Sequence, residues 1–188
     1  MEKRTTYILA GIIIGIILGV EAIQYADARI CPSKTCVETA EITPISDRGY
    51  FPQAHKALQA ARETIHMAQF ELKYYKNYPN SSATILVQDL IEAKNRGVEV
   101  IILVDEFSTE SNAFQLLKDN GIEIKMDSEN VTTHAKLIIV DGETVILGST
   151  NLSFYGLEKN NEINVEIKDR KTAEYYEQYF WELWNGEY

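Results

Sequence analysis

"TTHAKLIIVDGETVILGSTN", residues 132–151, holds two apolar runs, 137–140 and 145–147, on either side of Asp141-Gly142. An Asp-Gly pair between two such runs is the signature of a tight β-hairpin. A buried hairpin needs nothing more, yet His134, Lys136, Ser149 and Asn151 stand at its two open ends. On one strand, His134 and Lys136 project to the same side. A lysine in a buried hairpin is costly unless an anion meets it. Ser149 and Asn151 follow the second run, where irregular backbone can present a hydroxyl, an amide and N–H groups. Antiparallel pairing brings Thr150 and His134 to the same end. That end therefore gathers a nucleophile or base, a cation and two neutral donors, which is the composition of a phosphate site with a reactive group in it. No cluster of carboxylates accompanies them, so neither a divalent metal nor another cofactor is expected.

Outward from the hairpin the chain alternates. "FPQAHKALQAARE" reads as a helix with Pro52 in its first turn, and "TIHMAQFEL" as a strand. A Tyr-rich loop follows, then a helix in "ATILVQDLIEAKNRG" ended by Gly97. "VEVIILVDE" has an unbroken apolar centre and reads as a strand buried on both faces. "TESNAFQLLKDNG" is a further helix, "IEIKMD" and "NEINVEIKD" are strands, and "TAEYYEQYFWELWNGEY" is a terminal helix. Strands spaced by helices predict an α/β fold over 49–188, with a mixed, largely parallel sheet flanked by helices on both faces. Tyr176, Phe180 and Trp184 form an aromatic stripe at helical spacing, which reads as core or dimer packing.

The segment 1–28 reads as a targeting element. Glu2-Lys3-Arg4 precedes an uncharged run from Thr5 to Val20, and "ADA" at 26–28 suits a cleavage site. A cleaved signal peptide and an uncleaved hydrophobic helix that anchors the chain in a membrane are both open readings. Both leave Lys3-Arg4 inside and export the rest. Residues 29–48 read as a linker. Cys31 and Cys36 in "CPSKTC" are its two cysteines, and in an oxidising compartment a disulfide between them is the first reading. The net charge of −10 gives no general pull towards nucleic acid or an anionic membrane, although a local basic site remains available.

The pattern His134-x-Lys136-x4-Asp141-x6-Gly148-Ser149-x-Asn151 resembles the HKD signature of the phospholipase D superfamily at every fixed position. The order of elements is also similar, above all to the small single-signature members: exported bacterial endonucleases and the mitochondrial cardiolipin hydrolase branch. The resemblance implies that His134 attacks phosphorus and forms a phosphohistidine while Lys136, Ser149 and Asn151 hold the non-bridging oxygens. It implies a carboxylate that orients the histidine, for which Glu162 is the candidate and Glu166, deeper in the strand, the alternative. Asp141 belongs to the signature but is expected to hold loops, since it lies at the far end of the hairpin.

A second histidine must protonate the leaving group. His55 and His66 are the only others, and neither begins a second signature. The resemblance therefore implies a homodimer with the active site at the subunit interface. The substrate is a phosphodiester of nucleic acid or of a phospholipid. A nuclease is favoured by the single signature, the small size and the export segment, and "KYYKNYP", 73–79, could stack bases. An uncleaved anchor favours a phospholipase D at the bilayer. A catalytically idle binding protein is the third alternative.

Overall fold

In the computed structural model of the chain, residues 40–106, 112–128 and 130–187 are described. The targeting segment, the first part of the linker and the Cys31–Cys36 pair lie outside them. Seven strands, β1 (Glu41–Ser46), β2 (Thr64–Gln69), β3 (Glu99–Val104), β4 (Glu123–Met126), β5 (Lys136–Val140), β6 (Thr144–Gly148) and β7 (Ile163–Lys168), form one sheet in the order β1-β7-β6-β5-β2-β3-β4. The helices are α1 (Tyr50–Ala60), α2 (Ser82–Asn95), α3 (Asn112–Asp119), α4 (Phe154–Glu158) and α5 (Arg170–Asn185).

The sheet is mixed, but it is mostly antiparallel, which corrects the expectation of a largely parallel one. Only β2–β3 and β3–β4 pair in parallel. The pairs β1–β7, β6–β7, β5–β6 and β2–β5 are antiparallel. A parallel pair needs a crossover of a dozen or more residues, usually a helix. In the sheet only α2 and α3 serve as such crossovers. The chain from β4 to β5 is short and irregular, and it returns β5 to lie antiparallel beside β2.

A second correction concerns residues 41–46, which the composition assigned to the linker. They form β1, an edge strand paired with β7 along its length. Pro44 is tolerated there because an edge strand has one side on which a missing N–H breaks no ladder. Ile45 enters the core and is 6% exposed.

The two faces of the sheet are covered by different helices. Ile65, Met67, Val100, Ile102, Ile138, Val140 and Ile146 face a large core shared with Tyr50, Leu58, Leu86, Leu90 and Leu117 of α1, α2 and α3. Their neighbours Ile101, Leu103, Leu137, Ile139 and Val145 face the other way, onto Ala173, Phe180 and Leu183 of α5. The aromatic stripe of the last helix is therefore core in part: Phe180 is fully buried, with Trp184 stacked at 6.0 Å. Alternation sends Gln69 and Lys136, which are cross-strand partners, to the larger-core side. Gln69 also pairs with Val104, and Gly148 with Asn164. The carboxyl ends of β2, β3 and β6 thus meet the starts of β5 and β7 at one end of the sheet. Open α/β sheets bind ligands in the crevice at such an end.

Candidate active site

The loop before β5 is fixed by two carboxylates. The Thr133 N–H donates to Asp105 Oδ2 at 3.0 Å and to Asp127 Oδ2 at 2.7 Å. Asp105 directly follows β3 and Asp127 follows β4, so the ends of both parallel strands hold the residue before His134. His134 itself lies outside the strand, which begins at Lys136. The pair therefore does not share one strand, as the alternation implied. The two side chains still meet. Lys136 Nζ donates to His134 Nδ1 at 3.1 Å and to the His134 carbonyl at 2.8 Å. The imidazole is exposed and tilts against Phe70, ring centres 4.4 Å apart. Lys136 Nζ sits 4.8 Å over the same Phe70 ring.

Lys136 is buried, and burial lowers its pKa from the ordinary lysine value. The carboxylates of Glu162, Asp105 and Glu71 pull it back up without restoring it. The ammonium is thus held where water cannot fully solvate it, with His134 and the Phe70 ring against it. Such a cation gains by meeting a doubly coordinating anion such as phosphate.

The other half of the site follows β6. A Cβ at Gly148 would overlap the Ile163 carbonyl and the Asn164 side chain, so the approach of β6 to β7 requires glycine there. The Ser149 hydroxyl donates to the Glu162 carboxylate and accepts the Ile163 N–H at 3.1 Å. Thr150 and Asn164 clasp each other: the Thr150 N–H reaches Asn164 Oδ1 at 3.2 Å and Asn164 Nδ2 reaches Thr150 Oγ1 at 2.8 Å. Asn151 is held between this clasp and Gly156, where a side chain would collide with the Asn151 backbone. Its Oδ1 is buried without a hydrogen-bond partner.

Glu162 is 8% exposed and accepts from Asn160 Nδ2 at 3.0 Å as well as from Ser149. It makes no hydrogen bond to His134 of its own chain, contrary to the simplest form of the expectation. Its backbone is gripped from the supposed linker. The Glu162 N–H donates to Asp47 Oδ1 at 2.8 Å, and the Asp47 N–H donates to the Glu162 carbonyl at 2.9 Å. Glu166, the alternative carboxylate, is engaged by Gln53 Nε2 at 3.0 Å and by Lys168 at 3.6 Å, deeper along β7.

Asp141 lies at the opposite end of the hairpin. With Gly142 it makes the turn in left-handed conformation, at φ 53° and 57°. Its carboxylate accepts the N–H groups of Arg62, Glu63 and Thr64 at 3.1, 2.8 and 3.0 Å, tying the α1–β2 connection to the hairpin. His66 is on the α5 side of the sheet, opposite Ile139, with Nδ1 2.6 Å from Glu177. His55 pairs with Asp89 at 2.6 Å on the helical layer. Neither joins His134. Among the described residues no group of three or more His, Cys, Asp or Glu side chains is arranged to hold a metal ion.

Reading the sequence alone missed Asp47, Phe70, Asp105, Asp127 and Asn164. Asp105 carried a signal, since an acid directly after an unbroken apolar strand sits at the strand's carboxyl end. Asp47 and Asn164 carried none, because their roles come from pairing β1 and β6 with β7.

A family model described as "Cardiolipin synthase, PLD-like domain" matches residues 55–184. Phospholipase D of Rickettsia prowazekii is 32% identical over 121 residues, which cover 63% of this chain and 55% of that protein. Mitochondrial cardiolipin hydrolase of Chlamydomonas reinhardtii is 29% identical over 98 residues, covering 51% of this chain and 44% of that one. The chain spans about half the length of these curated relatives. Among solved structures it is similar to Nuc, a phospholipase D family member from Salmonella typhimurium, with a TM-score of 0.69 and 26% identity. That match covers 78% of this chain and 95% of Nuc.

Proposed function

Since the chain belongs to the phospholipase D-like family, we propose that it is a phosphodiesterase acting without metal through a phosphohistidine, and that its substrate is nucleic acid. The observation that carries the chemistry is the contact of a buried Lys136 with an exposed His134, beside Ser149 and Asn151 at one sheet end. His134 attacks phosphorus, the bond to the leaving oxygen breaks, and Lys136 and Asn151 hold the non-bridging oxygens, joined by Ser149 when its hydroxyl turns from Glu162 to the phosphate. A second imidazolium gives its proton to the leaving oxygen. Returned to its neutral form, that imidazole takes a proton from water, which attacks phosphorus and releases His134.

The two-histidine requirement supports a homodimer with the site on its axis. The bond from Lys136 also bears on it. A neutral imidazole that accepts at Nδ1 carries its proton on Nε2, so neither nitrogen is free to attack. A carboxylate that accepts a hydrogen bond from Nδ1–H favours the opposite tautomer and leaves Nε2 free to attack. Glu162 does not reach His134 within the chain, so in this reading it orients the partner subunit's His134.

The nucleic-acid reading rests on the resemblance to exported endonucleases, together with the match to Nuc, which covers 95% of that protein. The relatives named phospholipase D support a second reading, hydrolysis of phospholipid head groups from a membrane-anchored chain. In both readings the domain is exported. Cleavage of a labelled single-stranded oligonucleotide in EDTA, run beside choline release from phosphatidylcholine vesicles, tests the two. Oligonucleotide cleavage in chelator is the expected result. Activity that needs added Mg²⁺ or Zn²⁺ overturns the mechanism, and choline release alone overturns the substrate.

A further inference from the structure

A cavity of about 420 Å³ opens beside the site, lined by Tyr75, Tyr78, Ser81, Phe154 and Tyr155. Both walls are continuous with the catalytic loops. Phe154 lies three residues after Asn151, a span of at most about 10 Å. Tyr75 follows by five residues Phe70, on which His134 and Lys136 pack. The walls are also bonded to each other. Lys73 N–H donates to the Leu152 carbonyl at 2.9 Å, Leu152 N–H to the Glu71 carbonyl at 3.0 Å, and Phe154 N–H to the Tyr75 hydroxyl at 3.0 Å. The cavity is therefore preformed. Tyr75 packs against the core, but the other three rings stand free of it: Tyr78 and Tyr155 are each 69% exposed and Phe154 is 40% exposed.

We infer that this cavity is a base-stacking subsite for a nucleotide flanking the scissile phosphate of a single strand, an inference that rests on the nuclease reading above. Four of the five lining side chains are aromatic and none is aliphatic. Flat ring faces suit a nucleobase, whereas an acyl chain is commonly met by aliphatic side chains. Cations flank the rings where a strand's phosphates would run. Lys159 Nζ lies 5.4 Å over Phe154, and Lys73 and exposed Lys76 belong to the same loop as Tyr75 and Tyr78. Aromatic faces interleaved with lysines bind single strands without reading sequence. The subsite gives a chain with net charge −10 a local means of holding a polyanion.

The test uses the full chain and two fluorescent single-stranded oligonucleotides, one intact and one with abasic residues flanking the cleavage position. Tyr78→Ala and Phe154→Ala should each lower kcat/KM on the intact strand by about tenfold, within the range known for base stacking. They should leave the rate on the abasic strand unchanged, and Tyr78→Phe should retain the wild-type rate on both. Equal losses on the two strands, or no loss on either, overturn the stacking subsite while the nuclease reading stands. A wild-type chain that cuts neither strand yet releases choline from vesicles overturns both.

Discussion

His134 is the one histidine of the described domain that meets a lysine at the end of the sheet where β5 begins; His55 and His66 are committed to Asp89 and Glu177. His134→Ala should therefore abolish hydrolysis, leaving under about one part in a hundred of the rate, while the far-UV spectrum and melting temperature stay near wild type because the ring is exposed. Residual activity well above that level removes His134 as the nucleophile. Lys136 makes a different prediction. Its folded pKa lies below the value near 10.4 that the unfolded chain keeps, so its charge costs stability at neutral pH. That cost fades as pH rises through the folded pKa towards the unfolded one, where both states are neutral. Lys136→Met should abolish activity yet raise Tm by about 2–4 °C at pH 7, as about 1 kcal/mol would in a domain of this size. The gain should shrink at pH 10. A variant less stable than wild type at pH 7 contradicts the view of Lys136 as a cation awaiting phosphate.

Among the elements, β1 and the turn after it matter beyond closing the sheet edge. Asp47 holds both backbone groups of Glu162 and has φ 51°, a left-handed conformation that Asp tolerates better than most non-glycine residues. Asp47→Ala should lower kcat by roughly tenfold through loss of Glu162 placement, with KM little changed and a stability loss of about 1 kcal/mol. Asp47→Asn, which keeps an acceptor for the Glu162 N–H, should recover most of the rate. An equal defect in both variants points to charge rather than position. Gly148 is the sharper case. Alanine there meets the Ile163 carbonyl and Asn164, so Gly148→Ala should destabilise the domain by about 1–3 kcal/mol and separate Ser149 from Glu162, read by denaturant unfolding. A neutral Gly148→Ala would mean that β6 and β7 move apart freely.

The whole molecule makes its prediction through assembly. A shared site needs one neutral and one protonated histidine, so the rate should pass through a maximum with pH and fall on both sides of it. Mixed dimers of wild type and His134→Ala, isolated by a tag on one subunit, should be nearly inactive. Mixed dimers that keep half the wild-type rate, or an active species that sediments as a monomer, contradict the shared site. His66 does not offer a substitute acid, because it faces α5 on the other side of the sheet.

The sequence alone determined the hairpin, its Asp-Gly turn and the placing of His134, Lys136, Ser149 and Asn151 at its open ends, because each is a local matter of periodicity, turn chemistry and spacing. It also located each helix and strand from residue 50 onward except the five-residue α4. Strand direction was out of its reach. Alternating helices and strands suggest largely parallel pairing, but direction depends on where each connection carries the chain: β4 to β5, β5 to β6 and β6 to β7 each set the later strand antiparallel to its neighbour in the sheet, the last despite a connection that contains α4. The role of residues 41–47 was hidden for the same reason. A strand that pairs with one more than a hundred residues later shows in its own sequence only Glu-Ile-Thr-Pro-Ile-Ser, a short stretch interrupted by Pro44. Only the tertiary structure brought Asp47 to Glu162, Asn164 to Thr150, and Asp105 and Asp127 to Thr133. Hydrogen bonds between distant backbone and side-chain groups depend on where the sheet carries them, and no spacing along the chain encodes that.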